Sequence, residues 1–231
     1  MLTADAATVP AARSGWIADG LRRAFLLGPE HRPLLRRNVR LTALLVLAGV
    51  VGKLLLWDLA NIETILAVSL LAGVVLRGAY VVLVPVATVL AVNALGYALR
   101  YPGLYSLPGV AGLTLFLVTG YLFITATGTR YRPGVLFRTR TIAVATAISV
   151  PLTVAFDVWT AVGEWFFISP YRPLASVFAL QVPFTLAHVL SSLIFVPLLG
   201  FGFAYYVEHV LAAGEPSRAR ATSEQGLELL P

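Results

Sequence analysis

Two apolar runs, separated by a single Arg-Gly pair, make up most of residues 61–98, NIETILAVSLLAGVVLRGAYVVLVPVATVLAVNALGYA. A bilayer core about 30 Å thick requires roughly 20 consecutive apolar residues in a helix. The stretch therefore predicts two successive membrane helices, Thr64–Leu76 and Ala79–Leu99. The first is short for a full crossing unless the polar residues that flank it lie at the membrane interfaces.

The same apolar character extends through most of the chain. Of its 231 residues, 58% are hydrophobic and 12% are charged, whereas soluble domains carry about a quarter charged residues. This composition excludes a water-soluble globule, a disordered chain and a nucleic-acid-binding domain. Pro183 is expected to divide Leu174–Tyr206 into a short leading helix and a last span. The sequence thus predicts an all-α integral membrane protein with a bundle of six transmembrane helices, the other four being Leu41–Trp57, Gly109–Thr127, Thr141–Thr160 and the span that ends near Tyr206.

Three segments follow from this placement. Residues 1–40 form a basic arm, in which Gly15–Leu27 has the pattern of an amphipathic helix lying at the membrane interface. Residues 41–206 form the membrane domain, and residues 207–231 form a polar tail that we expect to be disordered.

The arginines predict the orientation. Fourteen of the 16 arginines fall on one side of the six predicted spans, and only Arg100 and Arg172 fall on the other. Because positively charged loops stay in the cytoplasm, both termini are expected there, in the cell membrane. The basic face also suits anionic lipid, and no nucleic-acid partner is expected.

Few polar residues remain inside the predicted membrane domain, and burying them there is costly, so each is a candidate site residue. At 1.5 Å per helical residue, all of them fall in the outer half of the bilayer, which favours an outward-opening pocket over a channel or an ion pump. They are Lys53, Asn93, Asp157, Glu164, Gln181 and His188. With no cysteine and three histidines at different levels, no metal site and no cofactor are predicted.

Structural roles for these residues stay open. Lys53 and Asp157 lie at similar depth and can form an ion pair. His188 can bond a neighbouring helix, Asn93 can join two helices, and Trp159 can anchor the interface. Ala48 and Gly52, four residues apart, form a small-residue face for close approach of a helix, either within the bundle or from a partner.

Three stretches resemble the substrate-binding S components of energy-coupling factor (ECF) transporters. Residues 61–98 resemble their second and third helices, AFDVWTAVGEW at 155–165 is similar to the element that opens their outer loop, and PFTLAHVLSSLIFVPLLG at 183–200 is similar to their last helix. The resemblance covers about residues 40–206.

The resemblance implies a subunit that captures a vitamin or small cofactor precursor, such as a flat heterocycle, and is not itself an enzyme. A transmembrane coupling subunit and ATPases would act in trans, with Ala48 and Gly52 as the docking face. The resemblance also implies a set of substrate-binding residues. They are Asp157, Trp159, His188, Asn93, Glu164 and Gln181, with Lys53 as a counter-charge or a ligand contact.

Two other functions stay open on the residues alone. A membrane scaffold would recruit a partner through the basic arm. An intramembrane enzyme acting on lipid would need Ser191 or Ser192 as nucleophile together with His188 as base.

Overall fold

The computed structural model describes residues 19–25, 32–59, 61–100, 106–132 and 139–211, and within these ranges the chain is helical with no strand. A short helix at 19–24 precedes six longer ones. The six are α1 (Arg32–Leu55), α2 (Ile65–Val75), α3 (Tyr80–Leu99), α4 (Leu107–Thr129), α5 (Thr139–Phe167) and α6 (Leu174–Tyr205), the last continuing as a π-helix over Tyr206–Leu211.

Five of these helices are long and apolar enough to cross a membrane, and α2 is not. The 11 residues of α2 cover about 16 Å, roughly half of the hydrocarbon thickness. The predicted apolar helical bundle is therefore confirmed with five candidate membrane spans, whereas the second predicted span, Thr64–Leu76, is a half-length helix. The predicted arm and tail fall largely outside the described residues.

Helix α2 occupies the centre of the bundle. All of its residues except the last are buried, and it packs against each of the other five long helices. The length of α2 explains this position: a helix that begins at mid-membrane leaves the backbone groups before it away from water, where only other protein groups can pair them. The five long helices surround α2 for this reason, and residues at both of its ends, such as Ile65 and Val74, are buried.

The N-terminal end of α2 is reached by a sharp turn. Asn61 has a φ of 55°, in the left-handed region that asparagine tolerates better than most residues. After this turn the segment 61–64 enters the bundle, and Glu63 and Thr64 are buried. The start of α2 therefore lies inside the bundle, below the level at which α1 ends.

The C-terminal half of α2 is held by α4 and by the segment that follows it. Thr125 Oγ1 donates to the carbonyl of Ser69 at 3.0 Å, and Arg132 Nε donates to the carbonyl of Gly73 at 2.9 Å. The last carbonyls of a helix have no partner within it, so Arg132 satisfies one of them. Gly73 and Gly128 let the two backbones meet, because a Cβ on either would collide with the opposite backbone.

Substitution of Gly128 by alanine is expected to destabilise the protein by about 2 kcal/mol, the usual cost of overfilling a tight contact. Gly202→Ala is the matched control, because no atom lies within 4 Å of a Cβ built there. Thermal unfolding in detergent should show a lower Tm for Gly128→Ala and an unchanged or higher Tm for Gly202→Ala. Equal effects of the two substitutions would contradict the close α2–α4 contact.

Two elements differ from the sequence prediction. Helix α6 runs without interruption past Pro183 and Pro197, so the predicted division at Pro183 is wrong. A proline removes one backbone hydrogen bond, and membrane helices tolerate this where neighbouring helices support them. Helix α1 begins at Arg32 rather than Leu41, because hydropathy marks the membrane span and not the helix that extends beyond it.

Candidate functional site

A cavity of about 740 Å³ opens at the end of the bundle where α1, α3 and α5 end and α4 and α6 begin. We call this the cavity end, and the opposite end, which carries Arg36, Arg37, Arg77 and Arg132, the arginine end. Side chains from all of these helices line the cavity, and Glu63 and Ile65 at the start of α2 contribute to its wall. The volume lies within the 300–1,000 Å³ that is usual for small-molecule sites.

The structure brings six of the seven predicted site residues to this cavity. They are Lys53, Asn93, Asp157, Glu164, Gln181 and His188. They come from four different helices, yet they line one volume, as their similar predicted depth required. Whether they contact a ligand stays a prediction.

The seventh residue, Trp159, lies outside the cavity. Its indole Nε1 donates to the carbonyl of Phe116 at 3.0 Å, its ring stacks on Phe116 at 4.6 Å, and 43% of its surface is exposed. Residues two apart on a helix point in different directions, so Asp157 and Trp159 cannot both face the cavity. The prediction that Trp159 lines the pocket is wrong, and its exposed ring suits the interface-anchor alternative.

Charged groups at the deep end of the cavity form one connected array. Lys53 Nζ lies 2.8 Å from Glu63 Oε2, and the hydroxyl of Tyr121 donates to Glu63 Oε1. His188 Nδ1 lies 2.8 Å from Asp157 Oδ1, while His188 Nε2 faces Glu63 Oε1 at 3.7 Å. The open alternative that Lys53 pairs with Asp157 is wrong, because Glu63 stands beside Lys53 and His188 beside Asp157.

Glu63 belongs to the array, although it is not among the site residues that the sequence predicts. It precedes a 13-residue apolar run, and this position predicts that it lies at the membrane interface. The signal that could have placed it correctly is the shortness of that run, since a helix that cannot span must begin or end inside the bundle. Ser191 fixes the position of Glu63, because Ser191 Oγ donates to the Glu63 carbonyl at 2.7 Å and lies 2.9 Å from its backbone nitrogen.

Two buried polar atoms of the array have no hydrogen-bond partner among the described residues: Asp157 Oδ2 and His188 Nε2. Both side chains are only 2% exposed. Buried polar atoms are nearly always paired, and an exception requires an explanation. Here the two atoms belong to residues that line a cavity, which makes them candidates for a ligand contact.

The mouth of the cavity carries a second ion pair, exposed to solvent. Arg100 pairs with Asp58, and its guanidinium lies 5.9 Å from the ring centroid of Trp57. Asn93 lies deeper, where its Nδ2 donates to Thr114 Oγ1 at 2.8 Å. Asn93 therefore joins α3 to α4 and lines the cavity at the same time.

The serines near His188 are engaged elsewhere. Ser191 bonds the backbone of Glu63, and Ser192 Oγ donates to the carbonyl of Val189 at 2.9 Å. His188 is directed to Asp157 instead. The hydroxyl–imidazole contact that the enzyme alternative requires is therefore not formed by either serine.

The small-residue face of α1 is used within the bundle. A Cβ on Gly52 would collide with the side chain of Thr64, and Thr64 Oγ1 donates to the carbonyl of Ala48 at 3.1 Å. Of the two alternatives left open for Ala48 and Gly52, the structure favours packing inside the bundle. Docking of a partner at these residues stays a prediction.

Comparison of the chain with protein-family models, curated proteins and solved structures gave no match. The sequence motifs and the geometry of the cavity are therefore the basis for inferring a function.

Proposed function

We propose that this chain is the membrane-embedded substrate-binding subunit of an uptake system for a vitamin or small cofactor precursor. The observation that carries the proposal is the cavity of about 740 Å³, open at one end of the bundle and closed at the other by α2. A volume of this size with few convergent polar groups suits capture of a small molecule. The cavity supports binding, and among the described residues the buried helix α2 occupies the centre of the bundle beneath it.

The direction of capture is from outside the cell. The cavity end is opposite the arginine end, and basic segments remain in the cytoplasm. Both chain termini belong on the arginine side, so both are cytoplasmic in this proposal. Helix α2 takes the place of the predicted span Thr64–Leu76. It returns the chain from mid-membrane to the cytoplasmic side.

The energy for uptake would come from other subunits. The 231 residues contain no GxxxxGK[ST] phosphate-binding loop. The resemblance of residues 61–98, 155–165 and 183–200 to ECF S components supports a coupling subunit and ATPases in trans. The cell membrane is the proposed location.

Protein purified in mild detergent is expected to carry or bind one small heterocyclic compound. Native mass spectrometry reports the bound compound and any co-purifying subunits, and a thermal-shift screen of vitamins and their precursors identifies it. Failure of every compound to bind or to raise the Tm would contradict the proposal.

Gln181→Ala is expected to weaken that binding about tenfold, the loss of one good polar contact of about 1.4 kcal/mol. Gln181 lines the cavity, and the structure gives its side chain no hydrogen bond to a described residue, so the Tm without ligand should not change. Thr127→Ala, near the arginine end, is the control and should bind normally. Equal affinity of the two variants would remove Gln181 from the site.

A further inference from the structure

Two carboxylates on one face of α5 form no ion pair with a Lys or Arg among the described residues. Asp157 and Glu164 are seven residues apart, which is close to two turns and about 10 Å along the helix axis. Both line the cavity. Asp157 lies at its deep end beside His188, and Glu164 lies near its mouth.

Three Lys and Arg side chains line the cavity: two of them are paired with other carboxylates, and the third, Arg172, has no ion pair among the described residues. Lys53 pairs with Glu63 and Arg100 pairs with Asp58. Among the described residues, Glu164 forms no ion pair, and Asp157 Oδ2 accepts no hydrogen bond. His188 Nδ1 bonds only the other oxygen of Asp157. The α5 wall of the cavity is therefore rich in acceptors that lack donors.

Aromatic rings complete this environment. Trp57, Tyr97, Tyr121 and Phe156 line the same cavity, and the Trp57 ring already holds the guanidinium of Arg100. Organic cations are recognised by carboxylates together with aromatic faces, and the attraction is larger in a desolvated site. The lining holds four carboxylates against three Lys and Arg side chains, and this excess of negative charge disfavours an anionic ligand.

We propose that the cavity selects a small organic cation or a protonated, N–H-rich heterocycle, with its positive group directed to Asp157 and Glu164. This inference rests on the proposed capture function and adds the charge of the substrate to it. The cation supplies the donor that Asp157 Oδ2 lacks. The paired residues Lys53 and Glu63 keep the floor neutral, so that the α5 carboxylates set the preference.

The test uses probes that differ only in charge, applied to the full chain in detergent. Benzamidine, benzamide and benzoate share one ring and carry a positive, a neutral and a negative group. Choline and 3,3-dimethyl-1-butanol form a second pair with the same shape. We expect saturable binding of at least one cation by calorimetry, at least tenfold tighter than its neutral counterpart, and no binding of benzoate.

Substitutions of single carboxylates test which of them are responsible for the preference for a cation. Glu164→Gln and Asp157→Asn should each reduce the affinity for the bound cation at least tenfold. Glu208→Gln, an exposed carboxylate on the π-helix at the arginine end, should leave it unchanged. Glu164 is half-buried and lies outside the buried array. The affinity of Glu164→Gln for the cation can therefore be measured even if Asp157→Asn is unstable.

The outcomes separate this inference from the capture function. If benzoate or a neutral probe binds as well as its cationic counterpart, or if Glu164→Gln binds the cation normally, the charge preference is wrong and capture stands. If no probe binds while the vitamin screen yields a neutral or anionic ligand, the charge preference is again wrong. If neither the probes nor the screen yields any ligand, both proposals fail.

Discussion

Substitution of Glu63 by glutamine is expected to lower the free energy of unfolding by about 3 kcal/mol, the usual result of breaking a buried ion pair on one side. The change removes the carboxylate 2.8 Å from the Lys53 ammonium, and it weakens the acceptor of the Tyr121 hydroxyl. Unfolding by SDS titration in mixed micelles measures the loss. A Lys53→Met, Glu63→Gln double variant should be more stable than the sum of the single effects predicts.

The control is the exposed ion pair at the mouth. Asp58 pairs with Arg100, but their side chains are 81% and 45% exposed, and solvent-exposed pairs contribute about 0–1 kcal/mol. Asp58→Asn should therefore change the free energy of unfolding by about 1 kcal/mol or less. Equal losses for Asp58→Asn and Glu63→Gln would show that burial of the Lys53–Glu63 pair has no energetic consequence.

His188→Ala is expected to cost about 4 kcal/mol, because it removes the hydrogen-bond partner of an Asp157 side chain that is only 2% exposed. His188 Nδ1 is the 2.8 Å contact of Asp157 Oδ1, and Asp157 Oδ2 already has no partner among the described residues. The variant would leave the Asp157 carboxylate fully buried without the imidazole. SDS titration reports the free energy, and loss of the array should also lower the Tm.

Two further variants identify the cause of that loss. His209→Ala removes an exposed imidazole that stacks on Tyr205 at 4.3 Å, and it should have little effect on stability. The double variant Asp157→Leu, His188→Leu replaces the pair with apolar side chains of similar size, which is often neutral. If the double variant is no more stable than His188→Ala, the unpaired Asp157 carboxylate is not the cause of the loss.

Much of the bundle could be predicted from the sequence, because a membrane helix needs a long apolar run and little else. The predicted bounds of α3 and α4 agree with the structure to within two residues, whereas α5 extends seven residues beyond its predicted end at Thr160. The half-length α2 could not be separated from a full span by hydropathy, since the same apolar residues suit lipid and a protein interior equally well. The continuity of α6 across Pro183 depends on its neighbours, which a single segment does not reveal.

The depth of the candidate site in the membrane could be predicted from the sequence, but the pairing of its side chains could not. Counting residues along each helix placed Lys53, Asp157 and His188 near one depth, and the cavity contains all three. Rotation about each helix axis decides which of them meet, and depth carries no information about rotation. The depth of Glu63 could not be predicted in this way, because Glu63 lies on a turn and the rise of about 1.5 Å per residue applies only to a helix.

The hydrogen bonds between Glu63 and Ser191 join residues 128 positions apart. During synthesis the chain enters the bilayer from its N-terminus, so α2 is made long before α6. Until α6 arrives, the start of α2 has neither Ser191 to fix its backbone nor His188 beside its carboxylate. The start of helix α2 is therefore translated before α6 but acquires its Ser191 and His188 contacts only after α6 has been inserted.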